Sequence, residues 1–185
     1  MRTATYQVDK DEILDRVFTY LVGRGLENVT IRELCKGTGI VQGSLYYWFG
    51  DKTSIICEVT EHGLRKVTDR IFAYVFASLG NLRGFFSGCL DEIAKYKPEL
   101  RFIYQMAASP VYGETIRRTG WSFNLVSDKY VSELAPLLGC DGELLRPLVY
   151  LFISVVLNYI ICDEREKTQM QLEFIYSVLP QILHK

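Results

Sequence analysis

Apolar residues recur at the spacing of an α-helix along almost the whole chain, and this pattern restricts the fold more than any other feature. Between residues 10 and 23 the apolar side chains fall on one face of a helix: Ile13, Leu14, Val17, Phe18, Leu21 and Val22. Similar windows follow as far as residue 183, and none shows the alternation of a β-strand. The sequence therefore predicts an all-α fold.

Turn and cap residues divide these windows into separate helices. Thr30 and Glu33 have the spacing of a capping box, which predicts a second helix that begins there and ends near 37–39. A third, short helix is predicted at about 42–48, and Asp51 is expected to cap a long fourth helix. Five more helical segments are predicted at 82–96, 99–108, 113–138, 142–162 and 166–183.

Charge and cysteine usage exclude several classes of protein. The net charge is −1, and residues 1–66 contain nine basic and nine acidic residues, so contact with a polyanion requires a local arrangement of charge. The five cysteines are far apart in the sequence, which fits neither a zinc site nor a dense disulfide framework. We therefore expect free thiols, no metal site and no cofactor.

Catalytic and membrane signatures are weak. His62 and His184 are the only histidines, and neither belongs to a metal-spaced cluster; no nucleophile elbow, Walker or Rossmann pattern is present, so no catalytic residues are assigned. The N-terminus has no apolar signal-peptide run. The longest apolar stretch, 148–162, is shorter than the roughly 20 residues of a membrane span. We expect a cytoplasmic protein, with that stretch buried on nearly all sides.

The second and third helices have the spacing of a helix-turn-helix, in which the second helix enters the major groove of DNA. Gln42, Gly43 and Ser44 would then meet base edges, because Gln and Ser pair with bases and Gly permits close approach. Tyr46 or Tyr47 is expected to donate a hydroxyl to a phosphate, while Leu45 and Phe49 are expected to pack inward. Lys52, at the start of the fourth helix, suits a phosphate together with the amides of that helix.

In this helix-turn-helix segment the chain resembles the TetR family of bacterial transcriptional regulators. The resemblance lies in VTIRELCKGTGIVQGSLYYWFGDKTSI, residues 29–55, and the residues at the family's positions are Thr30, Cys35, Gly39, Gly43, Leu45, Tyr46, Phe49 and Lys52. It departs from the family pattern at Val41, where Ser or Thr is usual, so a side-chain cap is lost. Trp48 stands where His or Tyr is common, and its indole N–H still suits a phosphate. Thr30 is included among the expected DNA contacts.

The resemblance implies a homodimer whose last two helices pair with those of a second copy. The residues expected at this interface are Leu148, Leu151, Phe152, Val155, Tyr159, Ile175 and Leu179. It also implies an effector pocket in the C-terminal half, which is rich in aromatic residues. The residues expected to line the pocket for a small apolar or aromatic ligand are Phe86, Tyr104, Met106, Trp121, Phe123 and Asn158.

Together these expectations divide the chain into a helix-turn-helix DNA-binding domain, 1–52, and a helical effector-binding and dimerisation domain, 53–185. They predict a non-enzymatic repressor that binds a near-palindromic, double-stranded DNA operator and is released by its effector. Two alternatives stay open. One is an all-α enzyme or carrier with a coincidental helix-turn-helix, and the other is a dimeric DNA binder without a ligand.

Overall fold

The chain is all-α, as the sequence predicts. The computed structural model describes residues 9–25, 29–118 and 123–183. This part of the chain contains eleven α-helices and one short 3-10 turn, and no β-strand. The predicted helical periodicity is therefore confirmed.

The helix bounds follow the predicted caps and turns closely. The first four helices are α1 (Lys10–Arg24), α2 (Ile31–Thr38), α3 (Gln42–Phe49) and α4 (Lys52–Ala77). A 3-10 turn at Leu79–Asn81 leads into α5 (Leu82–Ala94), which α6 (Lys97–Ala108) follows. The remaining helices are α7 (Gly113–Arg118), α8 (Phe123–Leu138), α9 (Gly142–Cys162), α10 (Arg165–Val178) and α11 (Pro180–Leu183). The predicted segments 113–138 and 166–183 each contain two helices.

The helices pack into two compact units. Unit 1 contains the chain up to Val67 together with Pro98–Arg118, and unit 2 contains Thr68–Lys97 and the chain from Thr119 onwards. Helix α4 thus begins in unit 1 and ends in unit 2. The sequence predicts a boundary between residues 52 and 53 instead. That boundary concerns function rather than packing, and it stays a prediction.

In unit 1, helix α1 buries its apolar face against the other helices. Ile13, Val17 and Leu21 have no exposed surface, as the helical spacing predicts. The ring of Phe18 contacts Phe102 edge-on, with centroids 5.8 Å apart. This contact between α1 and α6 explains why a segment distant in sequence packs with the N-terminal helices.

Polar contacts also join α1 to α4 within unit 1. Asp15 accepts hydrogen bonds from Lys66, at 2.6 Å, and contacts the His62 ring at 2.7 Å. Partial burial of Asp15 opposes its ionisation, but the bonds from Lys66 and His62 outweigh that and lower its pKa. Lys10 pairs with Glu58 and lies 5.3 Å from the ring centroid of Phe49, at the end of α3. These contacts join α1, α3 and α4, although such exposed pairs contribute little to stability.

In unit 2, helix α9 packs against α5, α8 and α10. Aromatic rings lie between α5, α9 and α10: Phe86 contacts Phe85, Phe152 and Tyr176, with centroids 5.1, 6.2 and 5.5 Å away. Gln169 of α10 donates a hydrogen bond to the Phe86 carbonyl. Unit 2 therefore has an aromatic core of its own.

Helix α9 is more exposed than the sequence suggests. It is the one helix in the described part of the chain that is long and apolar enough to cross a membrane, by length and composition alone. Only 28% of its most apolar stretch is buried within the chain. We expected burial on nearly all sides. The difference arises because α5, α8 and α10 leave one face of α9 uncovered.

Candidate nucleic-acid interface

Helix α2 begins with a complete capping box, as predicted. The Thr30 side chain accepts a hydrogen bond from the Glu33 amide at 3.2 Å, and the Glu33 carboxylate accepts from the Thr30 amide at 2.9 Å. Arg24 of α1 also binds this carboxylate, at 2.6 Å. The Thr30 amide, as the largest cause, lowers the pKa of Glu33. Because the Thr30 hydroxyl also donates to Glu33, it is engaged within the box; its predicted role in DNA contact stays a prediction.

The turn between α2 and α3 is fixed by backbone conformation and by a buried anchor. Gly39 has a φ of 72°, in the left-handed region, and its amide donates to the Cys35 carbonyl. The Ile40 amide donates to the Thr38 hydroxyl, and the Ile40 side chain is 3% exposed. Left-handed backbone favours glycine, so Gly39 allows the chain to reverse within two residues.

Helix α3 has one buried face and one open face. Leu45 and Phe49 are buried at 0% and 6% exposure, which anchors the helix to unit 1. On the opposite side Tyr47 is 74% exposed, and Gly43 lies one turn before it. A Cβ atom built on Gly43 would meet no atom within 4 Å. The surface around Gly43 and Tyr47 is therefore free to approach a partner closely.

The remaining predicted residues of α3 flank this open face. Gln42 and Tyr46 are exposed, whereas Ser44 and Trp48 are half-buried. The rings of Tyr47 and Trp48 meet edge-on with centroids 5.2 Å apart, so Trp48 supports the most exposed aromatic side chain of the helix. Five adjacent aromatic or apolar side chains, at positions 45–49, thus divide between an inner pair, Leu45 and Phe49, and an outer set.

Helix α4 begins beside the end of α3, and its first turn is capped from within the chain. The Asp51 carboxylate accepts a hydrogen bond from the Ser54 amide at 2.8 Å, which lowers the Asp51 pKa. The sequence predicts that the amides of this helix suit a phosphate. Asp51 occupies one of these amides, and the positive charge of the half-buried Lys52 remains available to an anion.

The charges of the helix-turn-helix are arranged so that the acidic groups are engaged and the basic groups are not. Glu33 and Asp51 accept backbone hydrogen bonds. Within the described part of the chain no ion pair involves Arg32, Lys36 or Lys52. Arg32 and Lys36 are not among the predicted DNA contacts, although their i, i+4 spacing places both on one side of α2. Residues 1–66, which have no net charge as a whole, thus present positive groups locally at the helix-turn-helix.

The predicted effector-pocket residues fall in both units. Tyr104 and Met106 belong to unit 1, where Met106 is completely buried and burial raises the pKa of Tyr104. Phe86 and Asn158 belong to unit 2. Trp121 lies outside the described residues, as does the side chain of Phe123. The pocket stays a prediction.

The predicted dimer residues separate into two groups. Four are buried within the chain itself, because α9 and α10 pack on each other and on α5: Val155, Tyr159, Ile175 and Leu179. Leu148 and Phe152 are half-buried, and Leu151 is 41% exposed. Helical spacing alone did not separate the inner face from the outer one. The interface stays a prediction that now depends on the outer residues.

Comparisons with known proteins agree with this geometry. Residues 10–59 match the family model of bacterial regulatory proteins of the tetR family, and the matched span covers α1, α2, α3 and the start of α4. The chain is also similar to the HTH-type transcriptional repressor KstR2 of Rhodococcus jostii, with 36% identity over 63 residues, which are 34% of this chain and 29% of that protein. KstR2 of Mycolicibacterium smegmatis matches to the same extent.

The KstR2 protein of Mycobacterium tuberculosis H37Rv matches over a longer stretch. It is 30% identical over 103 residues, which are 52% of this chain and 49% of that protein. The chain thus spans about half or less of the length of these relatives. No solved structure matches the chain significantly. The N-terminal helices of this chain are therefore similar to those of the tetR family of bacterial regulatory proteins.

Proposed function

We propose that the chain is a cytoplasmic transcriptional repressor that binds a near-palindromic DNA operator as a homodimer and leaves it when a small apolar or aromatic effector binds. The observation that carries the proposal is the open face of α3. Gly43 and Tyr47 lie outward with nothing of the described chain over them, while Leu45 and Phe49 anchor the helix. A recognition helix needs this division, because its outer residues must reach base edges in the major groove.

The chemistry of the neighbouring residues supports DNA as the partner. Gln42 and Ser44 offer hydrogen bonds to bases, and Tyr46 offers a hydroxyl to a phosphate. Arg32 and Lys36 supply positive charge from α2. The relatives matched over this region are transcriptional repressors by name, which supports repression as the outcome of binding. An enzyme would need none of these features.

A salt titration tests the proposal. A duplex selected by the full chain from a random library is titrated with protein by fluorescence anisotropy. We expect affinity to fall about 10³-fold or more between about 50 and 200 mM salt if the dimer makes six or more phosphate contacts. A weak salt dependence, or failure to select any duplex, would overturn the proposal.

Substitution of Tyr46 and Lys52 by Ala assigns the binding to the helix-turn-helix. The double variant should lose specific binding while its circular dichroism keeps the helical content. The matched control replaces Lys95 and Tyr96, which follow α5 in unit 2, and removes the same two residue types from a region without a proposed DNA contact. The proposal fails if both variants bind the selected duplex equally well.

The exposed apolar surface of α9 and α10 supports the homodimer. Its most exposed apolar residues are Ile161 on α9, at 57%, and Met170 and Phe174 on α10, at 70% and 62%. Burial of such residues is favourable by about 25 cal/mol per Å² of apolar surface. Phe174→Asp should therefore shift the chain to monomer in analytical ultracentrifugation. Val111→Asp, at an equally exposed site of unit 1, should leave the dimer intact.

The aromatic core of unit 2 supports an apolar effector. Phe85, Phe86, Phe152 and Tyr176 supply the apolar walls that a small aromatic ligand prefers. An effector lowers DNA affinity only by its differential affinity for the bound and free states. A panel of small aromatic compounds, added to the selected duplex complex, should contain members that release the duplex. Release by none of them would favour a DNA binder without a ligand.

A further inference from the structure

We propose that Val41 reads the 5-methyl group of a thymine in the operator and is a specificity-determining residue of this chain. The inference rests on the proposed DNA-binding function and names one base contact within it. It starts from an unusual side chain at the N-terminal end of α3. Val41 occupies the N-cap position, forms no side-chain hydrogen bond to the helix and is 69% exposed.

The exposed valine is not explained by the stability of the protein. A Ser, Thr, Asn or Asp at an N-cap accepts a hydrogen bond from the first turn, which an isopropyl group cannot do. The described part of the chain leaves most of the apolar surface of the Val41 side chain exposed to water. An apolar side chain at this position makes a favourable contribution to the free energy only when a partner covers it.

The position of Val41 indicates which partner covers it. The N-terminal residues of a recognition helix are those that meet base edges, and Val41 directly precedes Gln42 and Gly43. Base edges in the major groove present polar groups and a single apolar one, the methyl group of thymine. An isopropyl group can accept no hydrogen bond and donate none, so the methyl group is its only complementary contact there.

The chain also holds Val41 rigidly, which favours a specific contact. Its neighbour Ile40 is 3% exposed, and Leu45, four residues later, donates its amide to the Val41 carbonyl and is completely buried. The Val41 side chain itself is β-branched and has one χ angle, so little conformational freedom is lost when it is covered. Preorganised side chains of this kind contribute affinity at low entropic cost.

The test is a double-mutant cycle between the protein and the DNA. A duplex is selected from a random library by the full wild-type chain, and each thymine is replaced in turn by uracil, which removes the methyl group alone. At one thymine in each half-site we expect about fourfold weaker binding, the effect of uncovering one methyl group. In Val41→Ala the same replacement should have no effect, because the partner of the methyl group is gone.

The variants are chosen so that folding does not obscure the result. Ala caps a helix no better than Val, and the site is exposed, so Val41→Ala should keep the stability of the wild type. The matched control is Val111→Ala, because Val111 has the same side chain and is 68% exposed in unit 1. With this control the uracil effect should remain fourfold.

The outcomes separate this inference from the proposed function. If the wild-type chain selects no duplex, the proposed function fails and the inference fails with it. If a duplex is selected and bound with strong salt dependence, but uracil replacement affects the wild type and Val41→Ala equally at every position, the function stands and the thymine contact is overturned. Loss of the uracil effect with Val111→Ala as well would also overturn it.

Discussion

The two helices of the helix-turn-helix begin in opposite ways. At the start of α2, Thr30 and Glu33 cap each other, and Arg24 adds a further bond to the carboxylate. At the start of α3, Val41 offers no side-chain bond and is 69% exposed. Helix α2 therefore satisfies its N-terminal groups within the protein. Helix α3 has no side-chain cap. In the proposed function it is the helix that reads DNA, and α2 supports it.

The same contrast appears in the glycines of the two helices. A Cβ atom on Gly37 of α2 would lie 2.0 Å from the Tyr20 ring, whereas one on Gly43 of α3 would meet nothing within 4 Å. Tyr20 of α1 accepts a hydrogen bond from Arg24, the residue that binds the α2 cap. The close packing at Gly37 thus helps to hold α2 against α1, whereas Gly43 lies on the exposed surface of α3.

The largest expected effect is the difference in the free energy of unfolding between the Gly37→Ala and Gly43→Ala variants. Displacing the Tyr20 ring costs about 1–3 kcal/mol, and the better helix propensity of Ala returns up to about 1 kcal/mol. Gly37→Ala should therefore lower the free energy of unfolding by up to about 2 kcal/mol in urea denaturation. Gly43→Ala should raise it by about 0.5–1 kcal/mol while weakening binding to the selected duplex. Equal stability changes in the two variants would contradict the comparison.

The sequence predicts the local features of this comparison and misses the long-range ones. The capping box of α2 and the inner position of Leu45 and Phe49 follow from spacing within one helix. The packing of Tyr20 on Gly37 joins residues 17 positions apart, and no local pattern indicates it. Likewise, the inclusion of α6 in unit 1 depends on the contact between Phe18 and Phe102.

The sequence also does not decide between competing uses of one group. Asp51 was predicted as the cap of α4, and the amides of α4 were predicted to suit a phosphate, but one amide cannot do both. The structure gives the Ser54 amide to Asp51. In the same way, apolar spacing on α9 identified Val155 and Tyr159 without showing that they face the chain's own core.

A smaller effect is expected from removing the side-chain cap of α2 and from adding one to α3. Thr30→Ala removes the acceptor of the Glu33 amide and should cost about 1 kcal/mol of unfolding free energy, within a range of about 0.5–2. Val41→Thr supplies an acceptor that α3 lacks and should gain up to about 1 kcal/mol. Urea denaturation of both variants measures the two changes. If Val41→Thr also destabilises the chain, no amide in the first turn of α3 lacks a hydrogen-bond acceptor that Thr could supply.

The smallest expected effect is a difference between the N-terminal ends of α2 and α3 in how their contribution to Tm depends on pH. The Thr30 amide lowers the pKa of Glu33, so the carboxylate stabilises the fold fully above its ordinary pKa. That stabilisation is lost as the pH falls through the ordinary range to the lowered value. Glu33→Gln keeps an acceptor for the capping box but does not titrate. The difference in Tm between wild type and Glu33→Gln should therefore shrink from about pH 7 to about pH 3.

Val41→Thr serves as the control for this pH dependence, because neither Val nor Thr titrates. Its difference in Tm from the wild type should be the same at both pH values, since the start of α3 contains no acidic residue in its first turn. A constant difference for Glu33→Gln would mean that the carboxylate does not stabilise α2 through its charge. A varying difference for Val41→Thr would mean that the start of α3 is coupled to a titrating group, and the two helices would then be less independent than their separate caps indicate.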